Sequence, residues 1–251
     1  QLLADAIVGN SAQLGSAYLS AIIMDFNKEV LVERMGGLKN ENQIIVNNSF
    51  WYNANLNYKI YMAPGILVVL LTIIGMMLGG ANLVREKELG TIEQINVTPI
   101  LKWQLLAGKL IPFLIIGLVE MAFGLLLAHL FFGMPVRGSL VLLFGSTAIY
   151  LMLVLSLGLF LSTVSDTQQQ VAFSGFFFLM IFIMLSGLFT PVESMPLWAQ
   201  RLDLVNPLYY FIKILRGIIL KGAQLQDILT EFFSLLALAI SVFVLSVWRY
   251  K

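Results

Sequence analysis

Five stretches of this chain are almost wholly apolar, and each is close to the length that a helix needs to cross a lipid bilayer. They cover residues about 62–83, 110–132, 139–161, 170–189 and 228–248. A helix of ~20 apolar residues crosses the hydrocarbon core and satisfies its backbone hydrogen bonds internally, as a lipid solvent requires. Only 12% of the residues are charged, whereas soluble domains carry about 25%. The sequence therefore predicts an all-α polytopic membrane protein with five visible spans.

Residues 1–61 differ from the rest because they are polar and rich in asparagine. Apolar side chains recur at helical spacing within 9–34, which predicts an amphipathic helix. The stretch "NQIIVNN" at 42–48 is typical of a short strand. We expect 1–61 to be part of a small α/β domain in water, followed by a transmembrane domain over 62–251. The start at Gln1 favours a fragment whose first span and part of that domain precede it.

The alternation of spans decides which loops share a face of the membrane. The segment 84–109, the turn 162–170 and the C-terminus lie on one face, and 1–61, 132–139 and 190–227 lie on the other. The first face carries six cations: Arg85, Lys87, Lys102, Lys109, Arg249 and Lys251. The short loops of the other face carry five: Arg137, Arg201, Lys213, Arg216 and Lys221. The positive-inside rule favours a cytoplasmic 84–109 by a margin of one.

A charged segment, "NLVREKELGTIEQINVTPILKWQ" at 82–104, interrupts the apolar sequence. Its apolar residues recur at threes and sixes with charges between them, which predicts an amphipathic helix over 84–98 in the plane of the membrane surface. Pro99 is expected to end that helix, because proline lacks the donor that would continue the ladder. The segment is either a solvated connector or a docking element for a cytoplasmic protein, since mixed charges suit a salt-sensitive contact.

Several functional classes are disfavoured by what the sequence lacks. There is no cysteine and only one histidine, His129, so thiolate metal sites, histidine clusters and a Ser-His-Asp triad are excluded within the chain. No G-x-x-x-x-G-K-[ST] motif occurs, and the nearest stretch is "AGKL" at 107–110. The net charge of +1 creates no field that would favour nucleic acid. We expect no cofactor or metal in this chain.

Glu120 lies near the middle of the span 110–132. A carboxylate at that depth costs at least ~2.5 kcal/mol unless it is paired, protonated or hydrated. Gly117 and Gly124 lie on the same helical face, so this face is expected to meet another helix rather than lipid. Two interpretations stand side by side. Glu120 lines a pathway or subunit interface and contacts a cationic or amphipathic substrate, or it is a protonated acid that hydrogen-bonds between helices.

Three stretches carry a resemblance to a known family. "NLVREKELGTIEQINVTPI" at 82–100 resembles the coupling-helix region of ABC-2-type exporter permeases, which have the type V ABC exporter fold. "FWYNANLNYKIYMAPGIL" at 50–67 and "LFTPVESMPLWAQRLDLVNPLYYFIKILRG" at 188–217 are similar to the segments that precede the second and the last span of that family.

The resemblance implies a permease subunit with six spans in the intact chain, in which 1–61 is part of an extracellular domain between the first two spans. Two copies, or two paralogues, would form the pathway within a bacterial inner membrane and in contact with its lipids. Cytoplasmic ABC ATPase subunits, which hold the ATP and Mg, would drive export. The ATPase-docking residues would be Arg85, Glu86, Lys87, Glu88, Gly90, Thr91, Glu93, Gln94 and Pro99. The extracellular re-entrant loop 190–227 would form an outer gate with Pro191, Met195, Pro196, Trp198, Asn206 and Pro207.

The tight outer loops favour a small or amphipathic cargo, such as a drug-like molecule or a lipid, over a long polymer. Two other classes are less favoured. One is a membrane sensor or passive channel whose outer domain binds a ligand. The other is a membrane-embedded hydrolase, which the single histidine and the lone mid-span acid make a poor fit.

Overall fold

The computed structural model describes residues 3–4, 15, 18–27, 29–30, 49–50, 58–91 and 101–250. The chain divides into two compact units, Gln1–Tyr61 and Met62–Lys251. In the first unit, β1 (Leu3–Ala4) and β2 (Ser49–Phe50) pair in parallel, with Leu3 opposite Ser49. Residues 18–27 are helical (α1), within the predicted helix 9–34. The predicted strand at 42–48 lies outside the described residues, so the α/β character of this domain stays a prediction.

Five helices of the second unit are long and apolar enough to cross a membrane, which confirms the predicted multi-pass membrane protein. They are α2 (Tyr58–Glu88), α3 (Lys102–Phe132), α4 (Leu140–Val164), α5 (Gln168–Leu185) and α8 (Leu229–Arg249). Helices α2 and α3 have 31 residues each, or about 46 Å, and so exceed a hydrocarbon core of about 30 Å. Both run past the predicted span limits at ends that carry charged residues.

Helix α4 lies at the centre of the membrane unit. It packs against α2, α3, α5, α8 and the segment between α5 and α8, which we call the outer segment. Its largest fully buried side chains include Leu143, Tyr150, Leu151 and Leu153. The Tyr150 hydroxyl forms a buried hydrogen bond with Thr72 of α2. On the opposite flank, the Ser246 hydroxyl of α8 donates to the Ser156 carbonyl at 2.9 Å. Hydrogen bonds inside lipid-facing bundles of this kind hold neighbouring helices together in the absence of a hydrophobic force between them.

Helices α2 and α4 touch through their backbones. A Cβ at Gly79 would lie 2.5 Å from the carbonyl oxygen of Leu155, and one at Gly158 would lie 2.4 Å from the carbonyl oxygen of Met76. Only glycine permits such an approach at both positions. Gly79, in the stretch "GMMLGG" at 75–80, and Gly158 therefore allow α2 and α4 to pack closely.

The segment between α5 and α8 folds into short elements. A 3-10 turn (Val192–Ser194) precedes α6 (Leu197–Asp203) and α7 (Pro207–Arg216), and α7 runs on into a π-helical turn (Gly217–Lys221) and a 3-10 turn (Leu225–Ile228). The apolar side chains of α7 are buried, and Phe211 stacks on Tyr150 with ring centroids 4.1 Å apart. Tyr150 is the eleventh residue of α4, so α7 packs well inside the membrane unit.

Candidate functional site

Helix α2 ends in the middle of the charged segment. Gly90 adopts φ 70°, and the amides of Thr91 and Gly90 donate to the carbonyls of Glu86 (3.0 Å) and Lys87 (3.1 Å). These two bonds define a Schellman C-cap, which needs a left-handed residue and therefore favours glycine. The predicted continuous helix over 84–98 is corrected here: residues 84–88 prolong α2, and the helix stops at Glu88 rather than at Pro99. Residues 92–98 lie outside the described part.

Glu86 and Lys87 contact two other spans. The Lys109 ammonium of α3 forms a salt bridge with the Glu86 carboxylate, and both side chains are mostly buried. The Lys87 ammonium donates to the carbonyls of Ser162 at 2.7 Å and Ser165 at 3.1 Å, at the C-terminal end of α4. A cation at that position satisfies carbonyls that have no partner within the helix, and it complements the negative end of the helix dipole.

Glu88 contacts a third span at the opposite kind of helix end. Its carboxylate accepts hydrogen bonds from the Gln168 backbone amide, at 2.8 Å, and from the Gln168 side-chain amide. Gln168 is the first residue of α5, where free backbone N–H groups and the dipole both favour an anion. We call Glu86, Lys87 and Glu88, with their partners Lys109, Ser162, Ser165 and Gln168, the helix-end cluster. It connects the end of α2 to α3, α4 and α5.

Arg85, Leu89 and Gly90 are exposed beside this cluster, with Leu89 at 66%. Of the predicted docking residues, therefore, Arg85 and Gly90 face outward, Thr91 is half-buried, and Glu86, Lys87 and Glu88 form bonds within the chain. Glu93, Gln94 and Pro99 lie outside the described residues. Sequence reasoning missed Lys109 and Gln168. The sequence features that could have pointed to these two residues are the lysines at the start of α3 and the turn "SDTQQQ" before α5.

Gly117 and Gly124 make contacts within the chain. A Cβ at Gly117 would lie 2.7 Å from the Leu151 side chain of α4, and one at Gly124 would lie 2.4 Å from Leu67 of α2. The predicted meeting of this face with other helices thus involves helices of the same chain. Glu120 lies between the two glycines and is half-buried. One of its carboxylate oxygens is buried and has no hydrogen-bond partner among the described residues.

The six residues predicted for the outer gate divide into two groups. Asn206 and Pro207 are buried at the start of α7. The Asn206 amide donates to the Phe182 carbonyl of α5 and to Asp203 Oδ1, both at 2.9 Å, while its oxygen caps α7 through the Leu208 amide at 3.0 Å. The other four, Pro191, Met195, Pro196 and Trp198, are half-buried or exposed. The structure does not bring all six together on one surface.

Asp203 is an unusual carboxyl in this outer segment because only 1% of it is exposed. Burial raises the pKa of the Asp203 carboxyl, and the hydrogen bond from Asn206 opposes that change without cancelling it. The group thus favours its protonated form more than an exposed aspartate does.

An apolar groove of about 380 Å³ lies between α2 and α5. Methionine and phenylalanine side chains line it, including Met76, Met77, Phe173 and Phe176. Flexible thioethers and aromatic rings accept apolar molecules of many shapes. Among the described residues, no cluster of His, Asp or Glu could hold a metal ion.

The chain matches a known family over almost its whole length. The family model described as "ABC-2 family transporter protein" covers residues 3–248. The chain belongs to this ABC-2 family. Three relatives extend the comparison. The chain is 34% identical to the probable multidrug ABC transporter permease YbhR of Escherichia coli over 95% of its own length. It is 30% identical, over 88% of its own length, to the probable multidrug ABC transporter permease YbhS of the same species. It is 29% identical, over 71% of its own length, to the linearmycin resistance permease protein LnrN of Bacillus subtilis.

The chain spans 64%, 59% and 45% of the lengths of these relatives. The match begins before α2 and includes all five spans, the helix-end cluster and the outer segment. The resemblance to ABC-2 permeases that the sequence motifs indicated is therefore confirmed at the level of the family.

Proposed function

We propose that this chain is the membrane-spanning part of a permease subunit in an ABC-2 exporter of a bacterial inner membrane. ATP binding and hydrolysis in a separate cytoplasmic ABC ATPase would drive it, and two permease copies or paralogues would enclose the pathway. The cargo would be a small or amphipathic molecule, either drug-like or a lipid. The names of the two Escherichia coli relatives and of the Bacillus subtilis relative, which refer to multidrug transport and drug resistance, support this class.

The observation that carries the proposal is the helix-end cluster. A permease subunit that is driven by a soluble ATPase needs a surface that the ATPase can bind. It also needs a rigid connection from that surface to more than one span. The exposed end of α2, with Arg85 and Leu89, offers the surface. Directly beside it, Glu86, Lys87 and Glu88 bond to α3, α4 and α5. A displacement of the α2 end would be transmitted to three other spans at once.

Two features of the membrane unit suit the proposed cargo. The groove between α2 and α5 is apolar and is not enclosed, so it could accept the apolar part of an amphipathic molecule. The half-buried Glu120 on α3, with one carboxylate oxygen that lacks a partner among the described residues, would favour cations over anions. Gln169 of the groove wall follows Gln168, which bonds to Glu88 at the α2 end, so movement of that end would alter the width of the groove.

The experiment that tests the proposal separates docking from folding. Reversing Glu86 and Glu88 would break bonds within the chain, so the better variant is Arg85→Glu combined with Leu89→Asp, which changes exposed side chains only. We expect this double variant to be purified in normal yield and to lose the ATPase that accompanies the native protein through mild detergent extraction. Transport of an amphipathic dye into inverted vesicles should fall with it.

The matched control is Arg201→Glu combined with Leu202→Asp in α6, which changes the same kinds of residue on the opposite membrane face. Arg201 and Leu202 are also exposed. This variant should keep the ATPase. If the native protein holds no ATPase under gentle extraction, or if both double variants behave alike, the proposed function is contradicted and a sensor or channel is favoured.

A further inference from the structure

Two cavities lie along the same flank of α4, outside the groove and the cluster described above. The first, of about 440 Å³, is at the end of α4 that faces away from the helix-end cluster. Arg137, Ser139 and Gln224 give it a polar lining, and Leu142 and Leu225 form its apolar side. Arg137 is exposed, so its guanidinium can reach a ligand in this cavity. The cavity lies between the start of α4 and the turn that leads into α8.

The second cavity is an apolar groove of about 250 Å³ between α4 and α8. Ile149, Met152 and Ser156 line it from α4, and Leu236 and Phe243 line it from α8. The Ser156 hydroxyl is satisfied by the Met152 carbonyl at 2.6 Å, so the groove presents hydrocarbon rather than hydrogen-bonding groups to its occupant.

The two cavities are on one face of α4. Leu142, Ile149 and Ser156 are seven residues apart, and at about 100° per residue seven residues make two turns less about 20°. Gly145 lies on the same stripe between the cavities. Gly145 is exposed, and a Cβ built there would have nothing within 4 Å, so no side chain blocks the surface between the two cavities at this point.

The spacing along α4 matches one leaflet of a bilayer. From Ser139 to Ile149 is ten residues, or about 15 Å, which is half of a hydrocarbon core of about 30 Å. The apolar groove continues along α4 from Ala148 to Ser156, or about 12 Å, so an extended hydrocarbon chain can lie along it.

We propose that this flank binds one anionic phospholipid of the leaflet opposite the helix-end cluster. Its phosphate lies against Arg137 in the polar cavity, and one acyl chain runs past Gly145 into the groove between α4 and α8. Charge complementarity favours a lipid over a protein segment here, because Arg137 lines the polar cavity while apolar side chains line the groove, which matches an anionic headgroup followed by an acyl chain. The proposal is independent of the cargo and of ATP coupling, since none of these residues belongs to the helix-end cluster or to the groove between α2 and α5.

The test is lipid binding to the complete purified transporter, measured by native mass spectrometry during titration with phosphatidylglycerol. We expect Arg137→Gln to weaken binding of the tightest lipid about fivefold, the effect of one cation on an anionic headgroup. Gly145→Leu should weaken it similarly by filling the passage, and without harm to the fold because the space is open. Phosphatidylcholine should bind less tightly than phosphatidylglycerol and depend less on Arg137.

The matched control is Gly108→Leu in α3, because Gly108 also has nothing within 4 Å of a built Cβ and lies outside both cavities. It should retain lipid as the native protein does. Unchanged affinity in both Arg137→Gln and Gly145→Leu would overturn the proposal. So would Arg137-dependent binding of inorganic phosphate that Gly145→Leu leaves intact, which would indicate a free-anion site. Disulfide formation between Ile149→Cys variants of two copies would show that a second copy covers the groove.

Discussion

The backbone contact between α2 and α4 can be tested with a single methyl group. In Gly79→Ala, the new Cβ would lie 2.5 Å from the carbonyl oxygen of Leu155 and 3.1 Å from its carbonyl carbon and Cα. Real Cβ atoms essentially never approach another heavy atom within 3.0 Å. The two helices must therefore separate by about 0.5 Å at this point, because the obstructing atoms belong to a backbone and cannot rotate away.

The expected change in the free energy of unfolding of Gly79→Ala is the sum of two opposing effects. Overpacking of a close contact costs about 1–3 kcal/mol. Alanine in place of glycine inside a helix returns about 1 kcal/mol through its higher helix propensity. The matched variant Gly108→Ala in α3 gains the second term alone, because nothing lies within 4 Å of a Cβ there. The stability difference between the two variants then isolates the contact, and we expect it to be about 1–3 kcal/mol.

The measurement is the temperature at which the detergent-solubilised protein ceases to elute as a single species in size-exclusion chromatography. Each kcal/mol corresponds to roughly 2–4 °C for a chain of this length. Gly79→Ala should therefore lose its folded species at a lower temperature than Gly108→Ala by at least a few degrees. If Gly79→Ala survives to an equal or higher temperature, α2 and α4 do not touch as described, and the reasoning from their glycines is refuted.

Three further predictions concern the polar groups. Glu86→Lys should destabilise the protein by about 1–3 kcal/mol, since it breaks a charge-assisted bond. Adding Lys109→Glu should restore most of this stability, as measured by melting temperatures in a double-mutant cycle. If the effects of the two substitutions simply add, the two side chains do not form a salt bridge. The pKa of Asp203 is raised, so its protonated form stabilises the fold below the ordinary value of about 3.9, and this contribution is lost as pH rises through the raised value. Melting curves of Asp203→Asn between pH 4 and 8 should lack that decline, and an identical decline would exclude Asp203 as its source. Asn206→Ala should cost about 1–2 kcal/mol by removing the cap of α7. Asn206→Ser loses the same amide donations to Phe182 and Asp203 but keeps a capping oxygen, so equal loss of protease resistance in both variants would argue against the cap.

Much of the membrane architecture could be predicted from the sequence because lipid imposes few choices. An apolar run of 20 residues has to be a helix there, so all five spans were found. The end of α2 was predicted wrongly, because the spacing of apolar residues was followed past Gly90. Gly90 itself, just after the cations of the last turn, is a typical C-cap signal and could have been read as one.

Other features depend on tertiary packing that a single sequence does not display. Lys109 and Glu86 are 23 residues apart, and Gln168 is 80 residues from Glu88, so nothing local indicates these pairs. The six predicted gate residues were expected to form one gate in the outer segment. Neighbouring residues in a turn that contains proline can nevertheless differ in burial. Asn206 faces inward, where its amide bonds to the Phe182 carbonyl of α5, whereas Trp198 is exposed.

The bonds of Lys87 have a consequence for which positions can vary. On α4 the ammonium contacts carbonyl oxygens of residues 162 and 165, and every amino acid supplies such an oxygen. Replacing either serine would leave this particular attachment in place, while replacing the lysine would remove it. The two sides of this contact should therefore differ in their tolerance to substitution. Position 87 requires a long cationic side chain, whereas positions 162 and 165 can change without loss of this bond.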